Sequence, residues 1–276
     1  MNDSRFDHLV LTRFNVRGRY YKGDPGDDWL RYRLGLFERF TVRSFAGQSV
    51  PEFRWLVLID SESPEWFRER LTAIGEGLFE AVDVSGAFNA AAATHAVAPR
   101  VNAPFVLTTR VDNDDAVARD FIETIQRAFV PGDAHFINLV DGAQLSAGKV
   151  YRRPYTQNPF ITLAEPVGSA LPATVFVRRH FETIQYAPVL NVRSGHPLWI
   201  QVVHGGNALT ELVGLRTRAA AVAPWFDCAI PSADRPLEFS VDFSRGAIRI
   251  MRRLASAPHR VVELGRTLAA KPAGRT

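Results

Sequence analysis

Three carboxylates fall within four residues at Asp112-Asn113-Asp114-Asp115. Charges this close raise one another's pKa values unless a cation or an arginine stands among them. In extended chain Asp112 and Asp114, two apart, point the same way. A hard divalent cation such as Mn²⁺ or Mg²⁺ suits that arrangement, held by one or two carboxylates while substrate phosphates complete its shell. Two other polar clusters share the same setting, the end of an apolar run: Thr12-Arg13-Phe14-Asn15, and Asp60. An acidic turn in which Asp115 caps the next helix stays open as a simpler reading. An EF-hand does not fit. Glu123 falls at loop position 12 counted from Asp112, but Val117 stands where that loop needs glycine and Ala116 where it needs a ligand.

The surrounding pattern predicts the elements that would hold these residues. Residues 8–14 (HLVLTRF), 53–59 (FRWLVLI) and 104–111 (PFVLTTRV) read as strands, the second and third almost continuously apolar, as in a sheet buried on both faces. Between them, residues 29–45, 65–79 and 90–97 read as helices and 80–84 as a short strand, and residues 120–129 follow as a helix. This β-α-β-α-β order predicts a parallel, doubly covered α/β sheet. In such sheets ligands bind outside the carboxyl ends of the strands, where all three polar clusters lie. The second half is less regular. Residues 135–140, 148–152, 173–178 and 198–203 are candidate strands, 181–186 a short helix, and 246–270 a C-terminal helical segment.

The run from Phe40 to Asp60, in which a helix ending Ser44-x-x-x-Gln48 leads into an apolar strand ending in Asp60, resembles the opening of family-2-type glycosyltransferases of the GT-A fold. Thr109-Arg110-Val111-Asp112-Asn113-Asp114-Asp115 resembles their Asp-x-Asp motif. Together with residues 8–16 (HLVLTRFNV) and 199–207 (WIQVVHGGN), these stretches are similar in order and spacing to a bacterial group of rhamnosyltransferases. The resemblance implies a GT-A-like single domain over residues 1–244, with a nucleotide-binding half to about residue 130 and an acceptor half after it. It implies a Rossmann-like, mostly parallel sheet, and a basic C-terminal helical segment over 245–276.

The resemblance also implies roles. Asp60 would accept the N3–H of a uracil or thymine ring. Thr12, Arg13, Arg110 and Asp112 would line the nucleotide site, with Asp112 on the ribose. Asp114 and His204 would hold Mn²⁺ or Mg²⁺ against the diphosphate, and Gly205, Gly206 and Asn207 would approach a phosphate or the acceptor. The partners would be a UDP- or dTDP-linked sugar and a saccharide or glycolipid acceptor. The reaction is displacement at an anomeric carbon through an oxocarbenium-like transition state, and an inverting enzyme needs a carboxylate to deprotonate the acceptor hydroxyl. The Glu-Asp pair typical of inverting family-2 enzymes has no clear counterpart. Asp141, Glu165 and Glu211 are the candidates, with Asp141 favoured because it ends a predicted strand. A metal-dependent nucleotidyltransferase and a non-catalytic nucleotide- or sugar-binding domain are the alternatives.

The chain has 276 residues, 46% hydrophobic and 22% charged, which excludes disordered and collagen-like proteins. A lone Cys228 cannot form an intrachain disulfide, no apolar stretch approaches the roughly 18 residues of a membrane span, and the polar first eight residues lack a signal-peptide core. A cytoplasmic protein is expected. From Arg245 onward there are eight basic residues and one acid, Glu263, against 25 basic and 28 acidic groups before it. The basic excess therefore belongs to the tail. No nucleic-acid partner is expected, because a binding groove needs basic residues clustered across the domain. Apolar residues among these arginines make peripheral contact with the inner face of an anionic membrane an alternative to packing on the domain.

Overall fold

The computed structural model describes residues 5–18, 26–205, 211–231, 235–256, 262, 265 and 271–272. The first half follows the predicted alternation. β1 (Asp7–Arg13) leads, across a loop, to a continuous helical stretch. That stretch comprises α1 (Asp27–Leu36), a π-helical turn (Phe37–Val42) and α2 (Arg43–Ala46). Then come β2 (Arg54–Asp60), α3 (Glu65–Gly75), β3 (Glu80–Val84), α4 (Ala90–Val97), β4 (Phe105–Arg110), the two-residue β5 (Ala116–Val117) and α5 (Phe121–Ala128). The second half contains β6 (His135–Leu139), β7 (Gly142–Ser146), β8 (Lys149–Arg152), β9 (Ile161–Pro166), β10 (Val189–Arg193), β11 (Trp199–Val203), β12 (Leu215–Thr217), α6 (Pro236–Ser256) and β13 (Lys271–Pro272).

The main sheet has the order β13-β10-β6-β9-β4-β1-β2-β3. All its neighbours pair in parallel except β9, which runs antiparallel to both β4 and β6. The apolar runs are continuous because both faces are covered. In β1 and β2, Val10, Trp55, Val57 and Ile59 join the cluster under α1, α3 and α5, while Leu9, Leu11, Leu56 and Leu58 join the one under α4. That is the two-residue alternation of a pleated strand, with both sets apolar.

A second sheet, β12-β8-β7-β11-β5, leans on the first. Its hinge is Trp199, whose indole lies where a Cβ on Gly142 would be, 2.1 Å from the ring carbon Cε2. The same ring donates from Nε1 to Leu139 O (2.8 Å) and stacks on Phe160 (4.8 Å between centroids). Only glycine permits that approach, so β7 and β11 can pair beside the end of β6.

The structure corrects several expectations. Residues 173–178 are turns, not a strand. Glu165 accepts the backbone N–H groups of Ala173 and Thr174, both at 2.9 Å, and Thr108 Oγ1 accepts that of Val175. Donors captured by side chains are unavailable to a ladder. The 181–186 helix shrinks to a 3₁₀ turn at Thr183–Gln185. α6 begins ten residues before the expected start at 246 and packs on β12, so a boundary at 244/245 falls inside a helix. Lys271 and Pro272 pair with β10 at the edge of the main sheet. Of the expected 246–270 helix, residues 257–270 other than Val262 and Gly265 lie outside the described residues.

One buried polar chain ties the sheet together. His8 Nε2 lies 2.8 Å from Thr109 Oγ1, which lies 2.6 Å from Thr162 Oγ1, and Gln126 Nε2 reaches His8 Nδ1 at 3.4 Å. With Nδ1 accepting and Nε2–H donating, the ring is neutral. Burial pushes its pKa down to about 3. Between that value and the ordinary 6.5 the unfolded chain holds one more proton than the folded one, so His8 costs stability as pH falls through this window. The His8→Gln variant should lose that component, flattening the urea-denaturation profile between about pH 6 and pH 4 by up to about 1.4 kcal/mol per pH unit. An unchanged slope would mean that His8 is not held neutral.

Candidate functional site

The carboxyl ends of β1, β2 and β4 open on one side, and the predicted polar clusters meet there. The loop after β4 is tied to the end of β1: Val111 N donates to Leu11 O (3.3 Å) and Asn113 Nδ2 to Phe14 O (3.3 Å). The end of β2 is tied to the same turn, with Asp60 N donating to Asn15 Oδ1 (3.2 Å) and Asn15 Nδ2 to Ser63 Oγ (2.9 Å). The Phe14-Asn15 turn therefore stands between Asp60 and the acidic loop.

The helical stretch 27–46 clamps the loop from the other side. Thr41 Oγ1 donates to Asp115 O (2.8 Å). Gln48 is a three-way bracket: its Nε2 donates to Ser44 O and to Ala118 O, both 2.8 Å, and its Oε1 accepts Ile122 N (3.0 Å). This gives the Ser44-x-x-x-Gln48 spacing a physical meaning. A side chain at the helix end reaches back one turn and across to the segment that follows the acids. Asp115 is neither ligand nor cap. Its Oδ1 accepts Val202 N (2.9 Å), joining the loop to β11, and α5 starts only at Phe121, after Asp120. Burial, with Asp114 and Asp112 adding to it, pushes the Asp115 carboxyl well above the usual range.

Around these acids the structure places arginines. Asp112 Oδ2 accepts from Arg110 Nη2 (2.8 Å), and Arg13 Nη2 lies 3.6 Å from Asp112 Oδ1. Burial alone would raise the Asp112 carboxyl, but Arg110 and Arg13 outweigh it and hold it well below the usual carboxylate range. Both guanidiniums lie over the Phe176 ring, at 5.1 Å for Arg13 and 5.9 Å for Arg110, and Arg13 is also 5.7 Å from Phe88. His180 borders this group; burial, helped by Arg110, lowers its pKa to about 4, so it is neutral near pH 7. Asp60, buried, accepts from Arg17 Nε (2.6 Å) and from Glu62 N (2.9 Å).

Asp114 and His204 do converge, with Nε2 2.9 Å from Oδ2. The position they would share around an ion, however, is held by Arg33. Its Nη1 is 2.7 Å from Asp114 Oδ2 and 3.2 Å from His204 Nε2, and its Nη2 donates to Asn113 Oδ1. As arranged, these residues do not fit Mn²⁺ or Mg²⁺, because a second cation cannot enter beside the guanidinium without displacing it.

Other expected site residues are placed elsewhere. Thr12 is fully buried and accepts Trp55 Nε1 (2.9 Å), so it belongs to the core and not to the pocket wall. Asp141 is also sealed. Arg193 Nη2 (3.0 Å) and the backbone N–H of Ser194 (3.0 Å) bind its carboxylate, whose side chain has no exposed surface. It closes the turn between β10 and β11 and cannot reach an acceptor hydroxyl. Glu165 is occupied by the 173–174 turn. Glu211 is exposed, and its segment is pinned by Gln144, which donates to Glu211 O (2.9 Å) and accepts Val213 N (2.8 Å). Gly205 lies in an exposed turn; Gly206 and Asn207 lie outside the described residues.

Arg33, Arg17, Phe88 and Phe176 are the residues that sequence reasoning missed. Arg33 did leave a signal. It sits three after Leu30 and four before Phe37, on the buried stripe of α1, where a charge demands a counter-charge.

The sequence family described as "Putative rhamnosyl transferase" matches residues 21–214. The chain belongs to that family. Its main sheet with one reversed strand, carrying a smaller second sheet, is the α/β architecture with a mostly parallel sheet that the sequence predicts, and the family's description names transfer of a sugar. No curated protein matches the chain. Among solved structures it is similar to S. aureus TarS 1–349, at 12% identity over 71% of this chain and 60% of that one, with a TM-score of 0.39. It is also similar to the inositol-1-phosphate CTP transferase from T. maritima, at 11% identity over 75% and 94%, with a TM-score of 0.37. The chain thus spans about 60% of the TarS fragment's length.

Replacing Gln48 by alanine should cost about 1–3 kcal/mol in urea denaturation, because it leaves the Ala118 carbonyl and the Ile122 N–H without their side-chain partner. A loss under about 0.5 kcal/mol would show that the bracket is not needed to hold the acidic loop.

Proposed function

We propose that this protein transfers a sugar from a nucleoside diphosphate donor to a hydroxyl of a saccharide or glycolipid acceptor. The observation that carries this reading is the pair Arg13 and Arg110, both set at strand ends, both over Phe176 and both turned to Asp112. Rings beneath the guanidiniums limit their motion, and Asp112 pairs with both. Planar guanidiniums suit phosphate oxygens because they offer paired donors in a fixed geometry. Charge builds on the diphosphate as the anomeric bond breaks, and donors already in place stabilise it without reorganising at that moment.

Asp112 supports a ribose hydroxyl, and Asp60 supports the edge of a uracil or thymine once Arg17 shares its carboxylate with the base. Rhamnose is the sugar that the family's description favours. Of the three acids considered as base, Glu211 is the one that faces solvent, so it takes the role first given to Asp141. The Mn²⁺ or Mg²⁺ expected from the sequence is not carried forward, because Arg33 stands in its place.

Among the described residues no helix is long and apolar enough to cross a membrane. α6 does present Leu237, Val241, Ile248 and Met251, all exposed and within about one-third of its circumference, beside Arg245 and Arg252. That stripe supports contact with an anionic lipid surface, which suits a lipid-linked acceptor.

Calorimetry with UDP, dTDP, ADP and GDP tests the donor reading. UDP or dTDP should bind, and Arg13→Ala and Arg110→Ala should each weaken that binding about tenfold, as expected for loss of a charge-assisted hydrogen bond. Asp60→Ala should weaken the pyrimidine nucleotides more than the purine ones. Failure of every nucleoside diphosphate to bind the unaltered chain would overturn the proposal. With a donor and acceptor in hand, Glu211→Gln should lower kcat at least a hundredfold with KM little changed; an unchanged kcat would remove Glu211 from the mechanism.

A further inference from the structure

Asp114 Oδ2 and His204 Nε2 lie 2.9 Å apart, within hydrogen-bond distance, and Arg33 Nη1 stands at 2.7 Å and 3.2 Å from them. The Arg33 guanidinium supplies the positive charge that the buried Asp114 carboxylate requires. We infer that Arg33 is the resident cation of this site and that it does, as a side chain, the charge compensation a divalent ion would do, so that nucleotide binding needs no metal.

Four observations make the guanidinium a built part of the site. Arg33 is 8% exposed, on the face of α1 that also buries Leu30 and Leu34. Its second amino group is engaged by Asn113, between Asp112 and Asp114. Trp29, one helical turn earlier, lies 5.6 Å from its central carbon. His204, opposite, is packed edge-on by Tyr32 (5.4 Å), the neighbour of Arg33 on the same helix. A buried arginine would cost several kcal/mol of desolvation if unpaired; here its fork meets a carboxylate, an amide oxygen and an imidazole.

The consequence is chemical. A divalent ion is exchanged with solvent, follows metal supply and fails in chelators. A guanidinium is charged at every physiological pH and is present whenever the chain is folded. It also cannot be shared by inner-sphere coordination with the diphosphate. It therefore fixes Asp114 and His204 while Arg13 and Arg110 face the phosphates.

The nucleotide arm of the test rests on the donor reading above, whereas the ion arm does not. In the ion arm, Mn²⁺ is titrated into the nucleotide-free, full-length chain and followed by electron paramagnetic resonance. The unaltered chain should leave Mn²⁺ free. Arg33→Ala, or Arg33→Met if the alanine variant unfolds, should bind it at least tenfold more tightly, and adding Asp114→Asn should abolish that gain. In the nucleotide arm, UDP affinity of the unaltered chain should agree within twofold in EDTA and in Mn²⁺. The Arg33 variant should lose at least tenfold in EDTA and recover part of it when Mn²⁺ is added. Mn²⁺ binding by the unaltered chain as tight as by the variant, or UDP binding that requires Mn²⁺, overturns the inference. If no nucleoside diphosphate binds under any condition, the donor reading falls and the ion arm still decides the role of Arg33.

Discussion

The arrangement depends on one electrostatic constraint: three aspartates in four residues, at the end of a buried strand, must be neutralised. Each is neutralised differently. Asp112 is held by Arg110 and Arg13, Asp114 by Arg33, and Asp115 retreats into the protein, where burial and its neighbours push its carboxyl up and Val202 N binds it. A stretch that would repel itself in open chain becomes a junction of three elements. β1 supplies Arg13, α1 supplies Arg33, and β11 supplies Val202 and leads to His204.

That junction explains the rest of the local architecture. The loop can face three ways only because its backbone is fixed independently of its charges, by Asn113 on Phe14, by Thr41 on Asp115 and by Gln48 beyond it. The π-helical turn between α1 and α2 contributes Thr41 from within the widened segment. The second sheet is needed for the same reason. β5 follows directly after the acids and pairs with β11, so the position of His204 is set by the strand that Asp115 anchors.

Much of the first half was legible in the sequence, because its signals are local. β3 and α4 begin and end where the pattern placed them, and β1, β2, β4 and α5 do so within a residue or two. Short continuous apolar runs rich in β-formers and bounded by turn residues suit strands covered on both faces, and the acids of the loop after β4 are adjacent in sequence. The second half was less so. β7, β9 and β10 carry polar residues, the buried Gln144 and Thr162 and the half-buried Asn191, that break the apolar pattern and find partners only across the fold, in Gln201, Thr109 and Asn138. Residues 173–178 look like a strand until Glu165 takes two of their N–H groups.

By itself, the sequence determined that acids, arginines and an Asp-ended strand would gather at the carboxyl edge of a mostly parallel sheet, since each cluster ends a strand and parallel strands share one carboxyl edge. Tertiary structure decided which charge meets which. Arg33 is 81 positions from Asp114 and 171 from His204, so its place on the buried stripe of α1 announces a partner without naming it. Asp141 looked like a base by its place at a strand end, but Arg193 and the turn that follows it sealed its carboxylate. Coulomb forces act through space and scale with distance and burial, not with position along the chain. The pairing of charges therefore belongs to the fold.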